Sequence, residues 1–146
     1  MNGRRYLLDN NALMALGYNR VRSDYFRDHC LITSDVLWEA GDHRERELLE
    51  ELTLNQTITF FEYIRAVMRE VDVGDTSLID LYKNQGAADP GLIATVLESV
   101  ATQQDMLFTE DLCLVSNDAA VVEMGNRFGI TTMAPAELAA IFDTNV

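Results

Sequence analysis

Leu112-Cys113-Leu114-Val115-Ser116-Asn117-Asp118 is the stretch that decides the fold of this chain. Four consecutive apolar residues, 112–115, match a short strand buried on both faces. Ser116-Asn117-Asp118 stops the run with turn formers, and residues 119–128 follow as a helix ending at Gly129. The same figure stands at the start of the chain. Residues 4–8 (Arg-Arg-Tyr-Leu-Leu) predict a strand that stops at Asp9-Asn10-Asn11, followed by a helix over Ala12–Leu16 closed by Gly17. It recurs at Cys30–Thr33, where Ser34 reads as the N-cap of a helix over Asp35–Ala40, with Asp35 near the positive end of its dipole and Gly41 closing it. Short apolar strands alternating with helices predict an α/β fold, a parallel sheet covered on both faces.

The remaining pattern fills in helices. Residues 21–29 and 44–52 read as helical, and 57–70 set Ile58, Phe61, Ile64, Val67 and Met68 at spacings of three and four, an amphipathic helix. Leu78, Ile79 and Leu81 suggest a short helix closed by Gly86, and residues 71–76 carry a weak further strand pattern. Asp89 fits an N-cap and Pro90 the first position of a helix whose buried stripe is Ile93, Val96, Leu97 and Val100. Ile130-Thr131-Thr132 reads as a last short strand and Pro135–Phe142 as a terminal helix. No internal repeat interrupts this order, and 146 residues are expected to form one domain, 1–146.

Composition narrows the function classes. Hydrophobic residues make up 48% and charged residues 24%, the profile of a globular domain. No run approaches the roughly 20 apolar residues that span a bilayer, and the apolar run before Asp9 is too short for a signal-peptide core. Cys30 and Cys113 fit no zinc spacing, so a cytoplasmic, reducing compartment with no membrane partner is expected. The net charge is −13, and it is uneven: residues 1–69 carry 9 basic and 11 acidic side chains, residues 70–146 carry 2 and 13. Such acidity argues against a nucleic-acid partner unless some of the acids are gathered to hold cations.

Four acids stand at matching ends of their elements. Asp9 and Asp118 follow apolar strands, Glu39 lies on the helix after Cys30–Thr33, and Asp89 opens a helix. In parallel sheets the working site lies beyond the carboxyl ends of the strands. Like charges about 4 Å apart repel by about 4 kcal/mol at an effective dielectric near 20, so a gathered set needs shared protons, an arginine or a hard cation. Each acid also has a structural reading: Asp9, Asp89 and Asp118 as helix caps, Glu39 as a surface helix residue.

Four segments in this order resemble the PIN-domain nucleases, most of all the VapC-type toxins. They are Leu7-Leu8-Asp9-Asn10-Asn11-Ala12-Leu13, Thr33-Ser34-Asp35-Val36-Leu37-Trp38-Glu39, Gly86-Ala87-Ala88-Asp89-Pro90-Gly91-Leu92-Ile93-Ala94 and Leu114-Val115-Ser116-Asn117-Asp118. The resemblance covers nearly the whole chain and implies a PIN-like three-layer sandwich with a central parallel sheet of four to five short strands. By position it implies Asp9, Glu39, Asp89 and Asp118 as catalytic, metal-binding acids, with Asn11 orienting the site and Ser116 as its hydroxyl partner. It further implies Mg²⁺- or Mn²⁺-dependent cleavage of an RNA substrate, an antitoxin protein as partner, and a homodimer. Residues 42–56 do not align with the family pattern.

Arg20, Arg22, Arg44 and Arg46 are the candidate substrate-binding cations, with ordinary ion pairing as the alternative; few acids adjoin Arg20 and Arg22 in sequence. Trp38 and Phe60-Phe61 read as core rather than as base-stacking platforms. His29 and His43 have no Ser or Cys beside them in a nucleophile setting. The alternative to a nuclease is a catalytically silent PIN-like module that binds RNA or protein. Receiver and haloacid-dehalogenase chemistries fit poorly, because Asn11 stands where a second acid is needed and the only lysine is Lys83.

Overall fold

The computed structural model describes residues 3–54, 58–69, 88–104, 107 and 110–145, with the side chains of residues 58 and 88–90 outside that description. Five strands form one all-parallel sheet: β1 (Gly3–Leu8), β2 (Cys30–Thr33), β3 (Thr53–Leu54), β4 (Glu110–Val115) and β5 (Thr132–Met133), in the order β3-β2-β1-β4-β5. Helices flank it: α1 (Asn10–Leu16), α2 (Tyr18–Val21), α3 (Asp24–His29), α4 (Ser34–Ala40), α5 (Arg46–Glu51), α6 (Ile58–Arg69), α7 (Ala88–Thr102), α8 (Ala119–Arg127) and α9 (Pro135–Thr144). The α/β expectation is met, and the arrangement is consistent with a PIN-like three-layer sandwich.

The centre of the sheet is its most apolar part. β1 and β4 pair along their whole length, from Gly3 opposite Glu110 to Leu8 opposite Val115. Both strands are exposed at their amino ends and fully buried over their last three residues. Leu7, Leu8, Ile32, Leu114 and Val115 are sealed from water, and each such side chain contributes about 1.5–3 kcal/mol by burial. From β1 the chain winds to β2 and β3 on one side, then returns to β4 and β5 on the other. The strand order therefore reverses between β1 and β4, which makes their carboxyl ends the crevice where doubly wound sheets bind ligands.

Several local readings change. Thr33, not Ser34, caps α4, its hydroxyl accepting from the Val36 N–H at 3.2 Å. The predicted helix over 21–29 is divided into α2 and α3, because Ser23 caps a new start by accepting from the Phe26 N–H. Helix α7 begins at Ala88, so Asp89 and Pro90 lie inside its first turn; proline is tolerated there because the first four N–H groups have no intrahelical partner. The last strand is 132–133 rather than 130–132, and β3 adds a strand too short to show a sequence pattern. The short helix proposed around 78–81 and the weak strand at 71–76 lie outside the described residues. Among the described residues no helix is long and apolar enough to cross a membrane.

Candidate functional site

Asp9 is the residue after β1, and Ser116 is the residue after β4, so the register that pairs Leu8 with Val115 sets them side by side. The Asp9 N–H donates to the Val115 carbonyl at 3.3 Å, extending the ladder by one residue. Asp9 is only 4% exposed. Its Oδ1 accepts from the Ala12 N–H at 2.7 Å, capping α1, and its carboxylate takes a hydrogen bond from Ser116. The Ser116 hydroxyl in turn accepts from the Asp118 N–H at 3.1 Å. Asp118 caps α8, its Oδ1 accepting from the N–H groups of Ala120 at 2.9 Å and Val121 at 3.3 Å. One serine hydroxyl thus ties together the two acids that begin the helices after β1 and β4.

Burial pushes the Asp9 carboxyl above the ordinary aspartate range. The hydrogen bonds from Ser116 and Ala12 pull it back down in part, and the nearby Asp118 charge pushes it up again. These are the electrostatics of a site that favours a proton or a cation. The side chain of Asn10, next in sequence, has its Oδ1 buried and without a hydrogen-bond partner among the described residues. Asn11, to which the resemblance gives an orienting role, is exposed on α1; only the packed structure reveals which of two adjacent asparagines has its oxygen buried.

Helix α4 brings a second pair of acids. Asp35 and Glu39 are four residues apart and share a helix face, and Glu39 Oε1 is buried. Asp35 is half-buried, and burial raises its pKa. A Cβ placed on Gly91 would lie 3.5 Å from Asp35 Oδ2, so this carboxylate faces the first turn of α7, the turn that carries Asp89. From sequence Asp35 reads only as a partner of the helix dipole. The Asp89 side chain lies outside the described residues. Among the described residues, no three His, Cys, Asp or Glu side chains converge closely enough to form a metal-holding group.

The arginine candidates each have a neighbour that engages them. Residues 17–22 and 41–46 follow the last turns of α1 and α4. The Tyr18 and His43 rings meet there, 5.0 Å apart, and the Arg44 guanidinium stacks 4.9 Å from the Tyr18 ring centre. Arg20 donates to both carboxylate oxygens of Asp143 at 3.1 and 2.9 Å, a partner supplied from α9. Arg22 reaches Asn19. Arg46 donates to the carbonyls of Gly41 and Leu37, closing α4, and pairs with Glu50. Each of the four has a structural occupation.

Both cysteines are buried and free, and burial pushes the Cys30 thiol up to about 12, so it does not ionise near neutrality. Burial lowers the His43 pKa, and its Nδ1 accepts from the Glu45 N–H. A groove of about 680 Å³ lies between the end of α7, the start of β4 and the loop before β5, with Glu110 and Asp111 in its wall.

Asp9, Asp118 and Ser116 present oxygen atoms only. Such donors suit Mg²⁺ or Mn²⁺, and Mg²⁺ commonly takes one or two carboxylates and completes its shell with water and substrate phosphate. The burial of the Asp9 carboxylate beside Asp118, which raises its pKa, is the observation that fits a cation here. No protein-family model matches the chain, and no curated protein matches it.

Proposed function

We propose that the chain is an Mg²⁺- or Mn²⁺-dependent endoribonuclease. The observation that carries this reading is the Asp9–Ser116–Asp118 cluster at the point where the strand order reverses, joined to the four-segment resemblance to PIN-domain nucleases. Asp9 and Asp118 would hold the cation, with Glu39 and Asp89 completing the acidic set that the resemblance implies. When bound, a divalent cation supplies activation of water and stabilisation of the leaving oxygen in phosphodiester cleavage.

The residues of the chain do the positioning. Ser116 donates to the Asp9 carboxylate and fixes its orientation. The caps on Ala12, Ala120 and Val121 hold Asp9 and Asp118 on the ends of two helices, so neither carboxylate has to be ordered when a ligand arrives. Burial at the end of β1 excludes water from one side of Asp9 and strengthens every charge interaction it makes.

The test is cleavage of RNA with Mg²⁺ or Mn²⁺, abolished by a chelator and by Asp9→Asn or Asp118→Asn. Full activity in either variant would sink the reading. The same reading makes the chain a cytoplasmic, homodimeric toxin with an antitoxin partner; sedimentation that finds only monomers would remove the dimer.

A second reading, a catalytically silent PIN-like module binding RNA or protein, draws on a specific observation: Asp9 and Asp118 each already cap a helix. Binding with an intact fold and no metal-dependent cleavage would favour it.

A further inference from the structure

β4 is six residues long and β5 only two. β5 pairs with Leu114 and Val115, so the first half of β4 has a strand neighbour on the β1 side alone. The register shows which backbone groups this leaves open. The Asp9 N–H donates to the Val115 carbonyl, so the odd-numbered residues of β4 direct their N–H and C=O groups to β1 and the even-numbered ones direct theirs away. Leu114 meets the loop before β5, its N–H donating to the Thr131 carbonyl at 3.0 Å. Glu110 is met by a side chain: the Gln103 carboxamide donates to its carbonyl at 3.1 Å and accepts from its N–H. Between these two, the N–H and C=O of Leu112 have no hydrogen-bond partner among the described residues.

That open position lies in the groove of about 680 Å³, where Val96, Val100, Phe128 and Ile130 supply apolar wall. An unpaired N–H and C=O on a strand edge is a template for one extended residue of another chain. The Gln103 carboxamide on Glu110 shows the equivalent pair of groups, two residues away, already taken by a planar amide.

Charge narrows what fits. Glu110 and Asp111 both stand in the groove wall. Glu110 lies 3.7 Å from the Arg5 guanidinium, whereas Asp111 is exposed and makes no ion pair among the described residues. Side chains alternate along a strand, so the neighbour of a residue paired with Leu112 stands opposite Asp111. Opposite charges stabilise such cross-strand pairs and like charges weaken them. The field of a chain of net charge −13 favours a basic arrival in the same sense.

We infer that the open edge at Leu112 binds an extended peptide segment of a partner protein, with an apolar residue paired to Leu112 and a lysine or arginine opposite Asp111. Glu110 and Leu114 are already taken, so the backbone contact is one residue long and the charge and apolar wall supply the rest of the grip. The proposal does not rest on the nuclease reading: Leu112 stands four residues before Ser116, about 13 Å along the strand.

The experiment follows backbone amides of the ¹⁵N-labelled full chain by NMR. In the free chain the Leu112 N–H is expected to exchange with deuterium faster than those of Cys113 and Leu114. The probe is the capped peptide acetyl-Gly-Lys-Val-Lys-Gly-amide, compared with the same peptide N-methylated at valine and with its glutamate counterpart, acetyl-Gly-Glu-Val-Glu-Gly-amide. The lysine peptide is expected to shift the Leu112 amide signal saturably and slow its exchange. N-methylation removes the donor to the Leu112 carbonyl and is expected to cost about 3- to 10-fold in affinity. The glutamate peptide is expected to bind about tenfold more weakly, and Asp111→Lys to narrow that gap by at least about threefold, with a circular dichroism melt checking its fold. A Leu112 N–H already protected in the free chain overturns the proposal, because the edge is then covered. So does a lysine peptide that leaves Leu112 unshifted at millimolar concentration, or equal binding of the N-methylated form. A gap between the two peptides that Asp111→Lys leaves unchanged overturns the basic-segment assignment. A Leu112 signal that moves on dilution of the protein alone means that a second copy occupies the edge, and overturns the partner proposed.

Discussion

Asp9 carries opposing demands in one side chain. As a cap it needs only an acceptor for the Ala12 N–H, which asparagine supplies equally well. As a buried carboxylate beside Asp118 it is raised in pKa by desolvation, so its contribution to stability is complete below the ordinary aspartate value of 3.8 and is lost as pH rises through the higher folded value. Asp9→Asn is therefore expected to melt a few degrees higher than wild type at pH 7, on the order of 1 kcal/mol, with the margin vanishing below about pH 4. The same variant should lose the rise in melting temperature that millimolar Mn²⁺ gives wild type. A variant that melts lower at pH 7, or that keeps the full Mn²⁺ shift, would contradict this account. Ser116→Ala removes a donor to Asp9 and an acceptor for the Asp118 N–H, and is expected to cost about 1–3 kcal/mol. Because that donor lowers the Asp9 pKa, the acid limb of the pH–rate profile should move to higher pH, which a profile against wild type reads directly. Both acids were legible in sequence, because a strand end and a helix start need no tertiary knowledge. The buried Oδ1 of Asn10 and the 78% exposure of Trp38, which reads as core in sequence, were not, since each depends on which side of its helix meets the rest of the fold.

Among the elements, those bounded by local chemistry are the ones the sequence discloses. Helix α8 ends in a motif whose every part is local: the Gly129 N–H donates to Asn126, the Ile130 N–H donates to Gly125 at 2.9 Å, and Gly129 has a φ of +70°. This is a Schellman close, in which glycine takes the left-handed position. Gly129→Ala is expected to destabilise the fold by about 1–2 kcal/mol, seen as a lower denaturation midpoint with an unchanged slope; an unaltered midpoint would mean the left-handed residue is not under strain. β4 is set instead by burial. Leu114→Ala, at the sealed end of the strand, is expected to cost about 2–5 kcal/mol. Where neither local chemistry nor a long apolar run is present, legibility fails. β3 is two residues held by pairing to Ile32 and Thr33, and the α4 cap moved from Ser34 to Thr33 because either hydroxyl satisfies the same local rule.

For the molecule as a whole, charge is the property whose meaning the fold alters most. Sequence alone suggested that the arginine-bearing first half guides RNA to an acidic site. β1 and β4 deliver Asp9 and Asp118 to one edge of the sheet, while Arg20, Arg22, Arg44 and Arg46 are each engaged by a neighbour. That engagement is hidden in sequence, because the Arg20 partner, Asp143, is 123 residues distant. The consequence is electrostatic. A protein that grips nucleic acid through six to ten basic contacts loses about 10³–10⁵ in affinity between 50 and 200 mM salt. Here the proposed grip is a cation shared with one or two phosphates. RNA affinity is therefore expected to fall by less than about tenfold over that range at constant Mg²⁺, and to drop sharply when a chelator is added at constant ionic strength. Anisotropy titrations of a labelled single strand measure both. A steep salt slope with little dependence on the divalent cation would mean that the arginines, rather than the acidic edge, take up the strand.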